Sequence, residues 1–257
     1  MPCYFASAGG LLSESRAAFC SSGETDVGQA RFREAAVSTV VIAVLLASAF
    51  ATASPTTVAA HCPGTAAHDY AYGNQSPGLN VNGVRGSIDW TQGNVCSSGV
   101  SHSMTVCDAN CAHWAQAGWR YYNGYADPRM YCEWGGGTYK LREFTGLAHA
   151  THNYRQQYIS STAQWDCYLN SNWKYSWTLL NAGFYQGNYL VAQGENHQAH
   201  VQIGRMAPAK LTFASMQYRK ASGGAWAGMN ISPNVTSGPY GADEPAVGQL
   251  RVWTNGH

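Results

Sequence analysis

His113-Trp114-Ala115-Gln116-Ala117-Gly118-Trp119-Arg120-Tyr121-Tyr122 is the densest aromatic stretch of this 257-residue chain. Read as a strand, it sorts by parity, because successive side chains point to opposite faces of a sheet. Trp114, Gln116 and Gly118 share one face, and His113, Ala115, Ala117 and Trp119 share the other. An amide between a Trp and a Gly predicts a concave, aromatic-walled surface, since Gly leaves room for something to approach. The same pattern also fits a surface Gln beside structural tryptophans.

Short β-like runs recur on both sides of this segment: Val84–Ile88, Ser103–Val106, Tyr139–Phe144, Tyr154–Ile159, Lys174–Leu180, Tyr189–Gln193, Val201–Ile203, Leu211–Arg219 and a last one at Gln249–Trp253. In Trp173-Lys174-Tyr175-Ser176-Trp177-Thr178-Leu179 the alternation places Trp173, Tyr175, Trp177 and Leu179 on one face. Turn signals such as Asn123-Gly124, Gly135-Gly136-Gly137 and Ser222-Gly223-Gly224 punctuate the runs. No segment after residue 53 combines a 3.6-residue period with helix caps. The pattern predicts an all-β fold, an antiparallel β-sandwich of the jelly-roll or concanavalin-like kind, over residues 83–257. Residues 54–82 read as a flexible, Pro- and Gly-rich lead-in, and 231–248 as loop.

Upstream, Ala35–Phe50 is an uncharged apolar run preceded by Arg31 and Arg33 and followed by small residues. That is the layout of a secretory signal peptide, and the run is short of the roughly 20 residues of a spanning helix. Residues 1–53 are therefore expected to be an N-terminal extension and signal peptide, with either a translation start near Val27 or a long n-region ahead of the apolar run. The expected location of the mature chain is extracellular, without stable membrane insertion.

Residues 54–257 carry six cysteines, and an even number in an exported chain predicts disulfides. Cys107 and Cys111 flank a turn-like Asp108-Ala109-Asn110 and fit a tight-loop bridge. The same residues hold twelve Lys and Arg against ten Asp and Glu, with no basic stripe, so nucleic acid is not an expected partner. Four glutamates remain to be weighed individually: Glu133, Glu143, Glu195 and Glu244.

Three segments carry a resemblance: Trp114-x-Gln116-Ala117-Gly118, then Tyr131-x-Glu133-Trp134, then Gly194-Glu195, with Pro208, Phe213 and Trp226 downstream. Together they resemble the glutamic peptidases of the eqolisin type and, more loosely, the neprosin-like domain. The resemblance implies a β-sandwich in which Gln116 matches the family Gln and Glu195 the catalytic Glu. Glu133 would be a further acidic position, and Trp114, Trp119, Glu133 and Trp134 would contact a polypeptide substrate. The longer W-x-G-I-D-G-type signature of eqolisins is absent, and His197 and Gln198 stand where apolar residues are usual.

The implied chemistry is hydrolysis at acidic pH. A carboxylate takes a proton from water as that water attacks a peptide carbonyl. An amide that cannot titrate orients the water and donates to the developing oxyanion. No cofactor is implied. His149-x-x-His152 and His197-x-x-His200 place their members on opposite faces of a strand, so no metal site is expected. There is no G-x-S-x-G elbow and no phosphate loop. A second class stays open: a non-catalytic extracellular sandwich that binds carbohydrate through its tryptophans, or a cell-surface partner.

Overall fold

The computed structural model describes residues 68–75, 80–91, 99–136, 138–178, 184–197, 202–236 and 239–255. The expected signal peptide, the start near Val27, Cys3, Cys20, Cys62, Cys96 and His200 lie outside them. Among the described residues there are fifteen strands, all paired antiparallel, and no helix, so none is long and apolar enough to cross a membrane.

The strands are β1 (Tyr70–Gln75), β2 (Val81–Ile88), β3 (Gly99–Cys107), β4 (Trp114–Tyr122), β5 (Arg129–Gly135), β6 (Lys140–Phe144), β7 (His152–Ile159) and β8 (Gln164–Leu169). They continue with β9 (Asn172–Thr178), β10 (Tyr189–Asn196), β11 (Leu211–Lys220), β12 (Trp226–Gly228), β13 (Ser232–Val235), β14 (Tyr240–Asp243) and β15 (Leu250–Thr254). One sheet runs β13-β1-β10-β3-β4-β5-β6 and the other β14-β15-β11-β2-β7-β8-β9, with β12 added to β11. The two pack as a sandwich.

Parity builds the core. Val100, Met104 and Val106 of β3, Ala115, Ala117 and Trp119 of β4, and Met130, Cys132 and Trp134 of β5 face inward. They meet Val84 and Ile88 of β2, Tyr154 of β7, Trp165 of β8 and Phe213 of β11 from the other sheet. The Cys132–Cys167 disulfide joins β5 to β8 and so links the two sheets. Cys107 and Cys111 are also bonded, closing the turn between β3 and β4.

Three expectations change. Tyr70–Gln75, placed in the lead-in, is a strand inside the seven-stranded sheet, paired with both β10 and β13. Residues 231–248, read as loop, contain β13 and β14. In β9 the alternation breaks at a bulge: Cys167 pairs with Tyr175 but Tyr168 pairs with Trp173. The extra residue, Lys174, reverses parity, so Tyr175 and Trp177 pack on the core while Trp173 is 57% exposed.

One buried group sets an acid limit on the fold. His102 of β3 points inward, its ring 4.3 Å from that of Trp119, and neither ring nitrogen has a hydrogen-bond partner. Burial pushes its pKa down to about 3. The unfolded chain therefore binds a proton below about pH 6.5 that the folded chain refuses, and stability falls as pH drops from there toward 3. His102→Phe should flatten that decline, gaining about 3 kcal/mol relative to the parent at pH 4. Urea denaturation at pH 7 and pH 4 checks it; equal pH dependence in both proteins would exclude His102 as the cause.

Candidate active site

The outward face of the seven-stranded sheet is polar at its centre. β3 presents Ser101, Ser103 and Thr105 there, alternating with its apolar inward residues, and all three are buried. Gln116 of β4 lies between Thr105 and Glu133 of β5 in one cross-strand row. Its Oε1 accepts from Thr105 Oγ1 at 3.0 Å and Ser103 Oγ at 3.3 Å, and its Nε2 donates to Glu133 Oε2 at 2.9 Å. The facing sheet pins the same residue from behind, where Gln156 Nε2 donates to the Gln116 carbonyl at 2.8 Å. The amide is thus oriented before any ligand arrives.

Glu195 stands on β10, opposite Tyr70 of β1 and Ser101 of β3. Its Oε1 accepts from Tyr70 Oη at 2.8 Å and meets His68 Nδ1 at 2.8 Å. His68 is held just before β1 with φ 61°, a left-handed backbone uncommon for a residue with a side chain. A cross-strand clamp fixes it there: His68 N donates to Asn196 O, and Asp69 N donates to Asn196 Oδ1. His197 lies alongside, its Nε2 3.0 Å from Ser101 Oγ and its ring edge-on to His68 at 5.9 Å.

The two carboxyls are driven apart. For Glu133, burial is the largest influence and raises the pKa; the Gln116 bond opposes it, the Glu195 charge adds to it, and the net is upward. For Glu195, burial also raises, but the His68 bond, His197 and the Tyr70 hydroxyl outweigh it and hold the carboxyl below its ordinary range. Burial depresses His197 itself to about 4, so above that pH it is neutral and the lowering rests on His68 and Tyr70. His68 is raised in turn, chiefly by its bond to Glu195. The other glutamates are engaged elsewhere: Glu143 is ion-paired with Arg120 and Arg129, and Glu244 accepts from the Ile231 amide.

Of the expected site residues, the sheet places Gln116, Glu133, Glu195 and Trp114 on one face. Trp114 is half-buried against Gly135, where a Cβ would collide with its indole. Trp119 and Trp134 are on the other face, buried in the core. Trp134 follows Glu133 directly and Trp119 follows Gly118, so parity points both away from any ligand. The room expected at Gly118 is taken by the β3 backbone, since a Cβ there would collide with the His102 carbonyl. Gln116 and Glu195 are not adjacent: β3 runs between them, and their rows on it, Thr105 and Ser101, are four residues apart.

His68, Tyr70 and the Ser101-Ser103-Thr105 stripe were not anticipated. The stripe was legible as parity opposite Val100, Met104 and Val106; His68 had no signal, being brought in by a strand that was not expected. The side-chain donor atoms of His68, Glu195 and His197 lie within 4.8 Å of one another, a group that could hold a divalent cation. Its third member, His68, comes from the segment just before β1, so the local His-x-x-His spacings did not reveal it.

In sequence, no protein-family model and no curated protein matches the chain. In structure, it is similar to scytalidoglutamic peptidase with a peptide-based transition-state analogue, with a TM-score of 0.58 and 9% identity over 74% of this chain and 100% of that one. It is also similar to SCP-B, a member of the eqolisin family of peptidases in complex with the tripeptide Ala-Ile-His, with a TM-score of 0.56 and 8% identity over the same shares. At such identities the likeness establishes the fold: this chain has the β-sandwich fold of the eqolisin glutamic peptidases.

Proposed function

We propose that the outward face of the seven-stranded sheet hydrolyses peptide bonds in an extracellular, acidic setting. Glu195 serves as general base and then acid, Gln116 as the orienting amide, and Glu133 as a second, protonated donor. The supporting observation is a pre-oriented amide flanked on one sheet face by two carboxyls whose environments push them in opposite directions. Such a split assigns the ionised group to the base and the neutral one to the donor.

The spacing suits a substrate between Glu195 and Gln116. Four residues along β3 and two strand spacings put their Cα atoms roughly 16 Å apart. Both side chains rise from the same face, Glu195 drawn toward β1 and Gln116 held between β3 and β5, so a substrate would lie across β3 between them. Glu195 takes a proton from the water as its oxygen bonds to the carbonyl carbon. Gln116 Nε2 keeps one hydrogen on the carbonyl oxygen of protonated Glu133 and donates the other to the forming oxyanion. The Glu133 hydroxyl donates beside it, and protonated Glu195 returns its proton to the departing amine.

This reading fixes the pH dependence. Cleavage requires Glu195 ionised, which holds above its lowered pKa, and Glu133 protonated, which holds below its raised pKa. The profile of kcat/KM is then a bell on the acidic side, with Glu133 as its alkaline limb. Glu133→Gln, which cannot ionise, should remove that limb and keep residual cleavage toward neutral pH. An alkaline limb unchanged in the variant would take Glu133 out of the reaction.

A cation at His68, Glu195 and His197 would change the chemistry, and a chelator separates the two cases. The two-carboxyl reading predicts that EDTA leaves cleavage unchanged. Loss of activity in EDTA, restored by Zn2+, would make the histidine cluster the reactive centre instead. The glycan-binding alternative loses part of its basis, since Trp119 and Trp134 are core residues and Trp177 packs against Trp134.

A further inference from the structure

The outer face of the other sheet carries a second constellation, on the opposite side of the sandwich from Glu195. Arg85 of β2 and Arg155 of β7 stand directly opposite each other in register. Like charges so placed repel, and among the described residues neither arginine is ion-paired. Each is held instead by neutral groups. Arg85 Nε donates to Gln217 Oε1 at 2.8 Å, and its guanidinium lies 4.5 Å over the Trp226 ring. Arg155 lies 3.6 Å over the Tyr168 ring, and its buried Nε has no hydrogen-bond partner. Asp166, on the neighbouring strand of this face, already accepts from Tyr168 Oη and Ser176 Oγ.

Arg85 and Arg155 line a cleft of about 220 Å³ together with Asn153, Ser171, Ser215 and Gln217. No acidic residue lines it. The cleft exists because β11 bulges: its pairing with β2 shifts between Ala214 and Gln217, and Ser215 sits at φ 51°. Ser171, across the cleft in the β8–β9 turn, is also left-handed at φ 68°. Bulges of this kind re-aim side chains and open a concavity in a sheet.

We propose that this cleft binds a tetrahedral oxyanion, the sulfate or phosphate ester group of an anionic ligand, between Arg85 and Arg155. Planar guanidinium forks match such oxygens, and the anion would relieve the repulsion between the two cations. The serine hydroxyls and the Asn153 amide can donate to the remaining oxygens. The cleft is larger than one oxyanion, leaving space for the group that bears it. This site shares no residue with the Glu195 face and stands whether or not that face is catalytic.

Calorimetric titration of the whole chain with sodium sulfate and sodium phosphate, against chloride at equal ionic strength, tests it. Saturable one-site binding is expected, weakened by about tenfold or more in Arg155→Gln and in Arg85→Gln, with Arg155→Lys intermediate because it keeps the charge and loses the fork. Near-ultraviolet circular dichroism establishes that each variant is folded. Nitrophenyl sulfate and nitrophenyl phosphate, titrated in parallel, decide which ester is preferred. A selenate soak needs no variant: an anomalous peak between the two guanidinium groups supports the site. Heats no different from chloride, binding unchanged in both glutamine variants, or selenate bound only elsewhere would overturn it.

Discussion

Glu195→Gln should lower the rate of peptide cleavage by about a thousandfold, within the range typical of removing a general acid–base group. The variant keeps the size of the side chain and an oxygen that can still accept from Tyr70, so the sheet face should remain assembled. What it loses is the ability to take and return a proton. Because proton transfer is realised only in the transition state, the loss should fall on kcat, with KM little changed. A second signature follows from the same pair. His68 is raised mainly by its bond to Glu195, so its pKa should drop in the variant. NMR titration of the His68 ring reads this, and a ring that titrates identically in both proteins would contradict the pairing.

The next largest effect is expected at the amide. Gln116→Ala should reduce kcat by about a hundredfold or more, as for loss of one oxyanion donor. The alkaline limb of the pH profile should move as well. The Gln116 bond lowers the Glu133 pKa against the rise caused by burial. Without it, Glu133 stays protonated to higher pH, so the limb shifts upward. A limb that stays in place would contradict the Gln116–Glu133 bond as the cause. The rate profile of the folded variant shows which holds.

Legibility in the sequence followed the physics of each element. Trp114–Tyr122 coincides with β4 because large and small residues alternate over Trp114-Ala115-Gln116-Ala117 and aromatics continue to its end. β1 was hidden, since Tyr70-Ala71-Tyr72-Gly73-Asn74-Gln75 offers few β-branched residues and sits among Pro and Gly. What stabilises it is pairing on both sides, by β10 and β13, which local composition does not report. Its loss from the reading also removed His68 and Tyr70, the groups that set the charge state of Glu195.

Parity could have corrected the two tryptophans. If Glu133 faces outward then Trp134 must face inward, and Trp119 belongs with Ala115 and Ala117 rather than with Gln116. At β9 the same rule fails for a physical reason: a single bulged residue reverses the faces, and nothing in Trp173-Lys174-Tyr175 marks it. The Gln116–Glu133 hydrogen bond depended on the register between β4 and β5, a long-range property invisible to motif spacing. The resemblance pointed to three segments that the fold brings to one sheet face, and the strand register decides which neighbours each one meets.

The most direct test is the pH profile of kcat/KM for the purified protein on a denatured protein substrate, with Glu195→Gln measured beside it. The account predicts a bell bounded by the lowered Glu195 pKa and the raised Glu133 pKa, which collapses in the folded variant. Undiminished cleavage by Glu195→Gln, or no cleavage at any pH by the folded parent, would contradict it.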